Sequence, residues 1–91
     1  TIAMRLYISA DIEGVAGVVG WDQTRETGFE YQRAREWMTG EVVAACEAAR
    51  GEGVEEVVVS DSHGNGQSLL IDTLPDYVRL VRAWPRPLGM M

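Results

Sequence analysis

"YQRAREWMTGEVVAACEAARGEGVEEVVVS", residues 31–60, changes its apolar period partway along. Up to Arg50 the apolar residues recur at steps of three and four. Tyr31, Ala34, Met38, Val42, Ala45 and Ala49 form one stripe, which predicts an α-helix over residues 29–50. Gly51 and Gly53 end it as residues with access to left-handed backbone commonly do. Gly40 interrupts it at a cost of about 1 kcal/mol relative to Ala. Residues 54–60 then carry three consecutive valines, the signature of a buried strand. A helix feeding a strand through glycines is half of a crossover unit.

The flanking segments supply the rest. Residues 4–10, "MRLYISA", read as a first strand with few polar positions. A long Gly-rich loop follows over residues 14–28, and loops of that length tend to be functional. Residues 67–74 predict a short helix stopped by Pro75, and residues 77–83 a third strand bounded by "WPRP". The order is strand, helix, strand, short helix, strand. Such alternation implies an α/β fold: a parallel β-sheet with right-handed crossover helices, βαβαβ. Both helices then fall on one face, whereas parallel sheets are ordinarily covered on both. Residues 1–91 are therefore expected to be a single α/β unit, the N-terminal portion of a larger α/β domain. The bare ending "RPLGMM" fits a cut chain.

Composition narrows the function. Ninety-one residues with 46% apolar and 24% charged side chains suit one small globular domain. The net charge of −6 argues against a nucleic-acid surface. All eight basic residues are Arg. No apolar run approaches the roughly 20 residues of a membrane span and no leader precedes the first strand, so no membrane association and a cytoplasmic location are expected. The single Cys46 falls on the helical face and reads as a small buried hydrophobe.

Two short motifs carry the chemistry. "SADIEG", residues 9–14, and "SDSHG", residues 60–64, each follow an apolar strand. In a parallel sheet all strand ends share one edge, where ligands bind. Neighbouring strands lie about 5 Å apart, which brings Asp11 and Glu13 opposite Asp61 and His63. Alternation puts Asp11 with Glu13 on one side, and Asp61 with His63. Two carboxylates and an imidazole form a mixed oxygen and nitrogen set that suits Zn²⁺, Mn²⁺ or Fe²⁺ better than Ca²⁺. A dication also relieves the repulsion between Asp11 and Glu13. Asp61 is assigned a supporting place, orienting a loop or the imidazole. Each motif alone reads equally as a turn whose Asp bonds nearby N–H groups; it is their coincidence at one edge that points to a metal.

Other features are weaker. Gly14, Gly17 and Gly20 do not give the dinucleotide-binding spacing, and are expected to let the loop pass close to the site. Trp21 and Asp22 read as an exposed loop tip or a pocket lining. Trp37 and Met38 read as core, and Glu55 with Glu56 as a charged strand entrance.

"MRLYISADIEGVAGV", "YQRAREWMTGEVVAACEAARGEGVEEVVVSDSHG" and "LLIDTLPDYVRLVRAWPRPLGMM" together resemble the N-terminal part of the zinc-dependent D-aminopeptidases of the dipeptide-transport operon type. The similarity runs from Met4 to the end. It implies a cytoplasmic homo-oligomer holding two zinc ions per subunit and releasing N-terminal D-residues from short peptides. By position it implies Asp11 as the carboxylate bridging both metals, with Glu13 and His63 as further ligands. The remaining ligands and the catalytic residues are then expected beyond Met91. Two other readings compete. "ADIEGV" loosely resembles the opening of magnesium-dependent phosphohydrolases, with Asp11 as nucleophile. A non-catalytic flavodoxin-like interaction module would leave the acidic edge merely solvated.

Overall fold

The computed structural model describes residues 4–83. Three strands, β1 (Arg5–Ala10), β2 (Glu56–Asp61) and β3 (Val78–Val81), form one sheet in the order β1-β2-β3. All pairings are parallel, with Ala10 opposite Asp61 at the end of the first pair. Between β1 and β2 lie a short helix α1 (Trp21–Thr24) and the long helix α2 (Tyr31–Gly51). The fold is α/β, as the alternation of elements predicts.

Helix α2 buries Ala34, Met38, Thr39, Val42 and Cys46. They meet Ala10, Val57 and Val59 of the sheet, with Ile8 and Leu80 alongside. Cys46 sits fully buried at the centre, and Trp37 and Met38 join the core side as expected. Ala45, expected on the stripe, is exposed, because the buried line drifts to Cys46 one residue on. The other sheet face carries an Arg5–Glu56–Arg79 charge ladder, with Glu56 3.3 Å from Arg5 Nε and 2.6 Å from Arg79. Beyond it Tyr7 and Val81 stand 44% and 39% exposed.

The structure corrects several expected boundaries. Strand β2 starts two residues late, since pairing opens where Glu55 N–H reaches the Met4 carbonyl at 2.9 Å. The predicted helix over residues 67–74 is a single 3-10 turn, Ile71–Thr73. Its upstream backbone donors are taken by side chains instead. Gln67 N–H goes to Asn65, Leu69 N–H to Asp61 and Leu70 N–H to Thr39, so no i to i−4 ladder forms across them. Strand β3 is shorter than predicted, and Ala83 turns into positive φ, its N–H bonded to the Gly66 carbonyl. The "WPRP" boundary and the "RPLGMM" ending lie outside the described residues.

Thr39 joins helix to loop. Its buried hydroxyl donates to the Arg35 carbonyl at 2.8 Å and accepts Leu70 N–H at 2.9 Å. Thr39→Val keeps the shape and strands the Leu70 donor. Stability should fall by about 1–3 kcal/mol, read as a shift of the urea midpoint without a change in slope.

Candidate metal centre

The β1–β2 register decides where the site forms. Strand β1 ends at Ala10, and Ser62 N–H bonds back to the Ala10 carbonyl at 2.7 Å. The residues following both strands therefore leave the sheet side by side. Asp11 is still extended, and Ile12–Gly14 then close a 3-10 turn, with Gly14 N–H on the Asp11 carbonyl. Ile12, fully buried, anchors that turn in the core. Strand alternation is thus not what aligns the acids. The turn swings Glu13 back beside Asp11, so that both carboxylates meet the same imidazole nitrogen.

His63 arrives from the other strand. Its Nδ1 lies 3.0 Å from Asp11 Oδ1 and 2.6 Å from Glu13 Oε1. Ligand atoms of all three residues fall within 4.8 Å of one another. Its Nε2 lies 2.6 Å from the Thr24 carbonyl oxygen at the end of α1. A carbonyl only accepts, so Nε2 carries the proton and Nδ1 faces the carboxylates. This is the arrangement by which metal-bound histidines fix their tautomer, the far N–H held by an oxygen. Two carboxylates and one such imidazole fit a zinc-type ion by donor chemistry.

Asp61 lies outside that cluster. It is the last residue of β2, 1% exposed, and its Oδ2 accepts Leu69 N–H at 2.6 Å. The hydrogen bond seen thus ties down the loop that carries His63. Sequence reasoning missed the Thr24 carbonyl, which no side-chain pattern advertises. It also missed Gln23, 7% exposed, whose amide takes Val19 and Gly20 N–H and donates to the Gly17 carbonyl. That one side chain braces the Gly-rich loop. Gly17, at φ +92°, lies flat against Trp37, where a Cβ would crowd the indole at 3.1 Å.

The three groups pull one another's proton affinities apart. Burial alone would raise Asp11, but hydrogen bonds from Glu13 and His63 outweigh it and hold Asp11 below 3.8. Glu13 moves up from 4.5, chiefly through the bond it shares with Asp11. For His63 burial favours the neutral ring. The Thr24 carbonyl and the charges of Glu13 and Asp11 prevail and raise it above 6.5. Without a metal, a proton on Nδ1 plays the part of the cation.

An α/β unit that gathers such a donor set at its strand ends is the kind of scaffold on which metal-dependent hydrolases are built. Residues 4–91 match the D-aminopeptidase family, and the chain belongs to it. It is 31% identical over 88 residues to the D-aminopeptidase of Bacillus subtilis (strain 168), covering 97% of this chain and 32% of that protein. Among solved structures it resembles the Zn-dependent D-aminopeptidase DppA from Bacillus subtilis, described as a self-compartmentalizing protease. The TM-score is 0.92 at 31% identity, over 96% of this chain and 32% of that one. The chain spans about a third of the length of these relatives.

His63 supplies a pH test. A raised folded value means its stabilisation is full below pH 6.5 and is lost as pH climbs through that raised value. In metal-free protein, the stability gap between the native chain and His63→Gln should narrow from about pH 6 to about pH 9. Urea melts at both ends of that range measure it.

Proposed function

We propose that the full-length protein is a zinc-dependent aminopeptidase that releases N-terminal residues, D-residues among them, from short peptides. The observation carrying this is His63 Nδ1 facing Asp11 and Glu13 while Nε2 is held by Thr24. Family membership supports peptide hydrolysis, and the Zn-dependence of the DppA relative supports the metal. Asp11, Glu13 and His63 are the ligands we assign, with Asp61 holding the loop behind His63. Two zinc ions per subunit, which Asp11 would help to hold, is the reading in line with the family resemblance. The other ligands and the catalytic groups are placed beyond Met91. A cytoplasmic homo-oligomer completes the proposal, in keeping with the self-compartmentalizing relative.

When bound, zinc supplies Lewis acidity, polarising a scissile carbonyl and making water nucleophilic near neutral pH. The chain's own residues prepare for that. Asp11 and Glu13 provide the negative charge that holds a dication. Thr24 keeps the imidazole from rotating and its Nδ1 lone pair aimed inward. Glu13, with 58% of its side chain exposed, is the most open of the three and borders the grooves by which a peptide approaches. The acidic edge also favours the amino end of a peptide over its carboxylate end.

The phosphohydrolase alternative would need Asp11 free as a nucleophile and leaves His63 without a task. The flavodoxin-like module predicts no metal at all. Elemental analysis of the full-length protein should find about two zinc equivalents per chain. Chelation should abolish peptide hydrolysis and added zinc should restore it. His63→Ala should lower zinc affinity and hydrolysis by at least about 100-fold. Unchanged zinc content and turnover in that variant would overturn the assignment.

A further inference from the structure

The Gly-rich loop holds large apolar side chains clear of the core formed by residues 4–83, and does so by a built framework. Val19 is 94% exposed and Trp21 75% exposed. Neither position is slack. The nearly buried Gln23 makes three hydrogen bonds to the backbone of Gly17, Val19 and Gly20, at 2.9, 2.7 and 3.0 Å. Ala16 N–H is tied to Glu41 of α2 at 2.9 Å, and Glu30 N–H to the Asp22 carbonyl at 3.1 Å. The Arg25 guanidinium lies over the Trp21 ring, 6.0 Å from its centroid, and so covers one face of the indole. A braced loop that displays apolar groups marks a binding surface rather than a floppy tip.

The position of that display says what it would bind. A groove of about 340 Å³ is lined by Val18, Val19, Gly20, Trp21, Thr24 and Glu13. Glu13 is a candidate metal ligand, and the Thr24 carbonyl orients His63. A second groove shares Glu13, Trp21 and Thr24 and continues to His63 itself. The apolar wall is therefore continuous with the acidic cluster, with no intervening element. A group anchored at the cluster reaches the wall with its next few atoms. In an exopeptidase those atoms are the side chain of the terminal residue.

Resting on the aminopeptidase reading above, we propose that this groove is the subsite for the side chain of the peptide's N-terminal residue. It selects apolar side chains, with Val18, Val19 and Trp21 as its wall. The indole face and the valines gain from each buried methylene, a discrimination of about tenfold or more per group. Gln23 acts as a positioning residue, since it sets the wall without lining it.

The test uses the full-length, zinc-loaded protein. The kcat/KM ratio for leucyl over glycyl peptides, in whichever hand is cleaved, should be at least about tenfold. Trp21→Ala should cut the leucyl-to-glycyl ratio several-fold, and Val19→Ser should lower it too; neither side chain is buried among residues 4–83. Calorimetric binding of leucinamide against glycinamide gives a readout independent of turnover, and the same preference should appear there and weaken in both variants. Ratios unchanged within about twofold in both variants would overturn the subsite. So would a change in oligomeric mass with selectivity intact, which would make the loop a contact between subunits. Absence of zinc and of peptide hydrolysis would count against the aminopeptidase reading instead, and the amide-binding ratio would still decide the groove.

Discussion

Everything at the site depends on one pairing, the parallel ladder between β1 and β2. It sets Ala10 opposite Asp61 and lets Ser62 bond to the Ala10 carbonyl. Two segments that are 52 residues apart in the chain leave the sheet at the same place. A slip of one residue would reverse the faces of every side chain on one strand. It would bury Tyr7 and Ser9 and expose Ile8, so the apolar pattern enforces the register that gathers Asp11, Glu13 and His63. The core of the fold and the position of the acids are one constraint.

Local devices then finish what the sheet begins. Strand geometry alone would leave Glu13 about 7 Å beyond Asp11 at the Cα positions; the 3-10 turn pinned by Ile12 brings the acid back. The imidazole is caught between a backbone carbonyl and two carboxylates. These contacts come from three separate parts of the chain, the strand end, α1 and the β2 loop. Their agreement is a better argument for chemistry than the acids alone, since exposed acidic pairs are common on ordinary surfaces.

The legible parts of this structure were the periodic ones. The α2 stripe, the valines of β2 and the order of elements predicted the parallel sheet, and the two motifs named three residues, Asp11, Glu13 and His63, that the structure gathers at one edge. Asp11 and Glu13 meet through a 3-10 turn and not through strand alternation. The helix expected after Gly66 failed for a related cause: Asn65, Asp61 and Thr39 compete for its backbone donors. Side-chain to main-chain bonds of this kind leave no periodic trace. Gln23 illustrates this well, since an isolated Gln in a Gly-rich loop gives no sign that it bonds to the backbone of three residues.

The Thr24 contact has an experimental corollary. The atom that steadies His63 belongs to the peptide backbone, so replacing the residue type at this position leaves the oxygen in place. A survey of single amino-acid exchanges would report position 24 as tolerant of change in this respect, although the ring leans on it. Only an alteration of the main chain itself, such as an ester in place of the amide that follows, would weaken that acceptor and reveal how much the histidine owes to it.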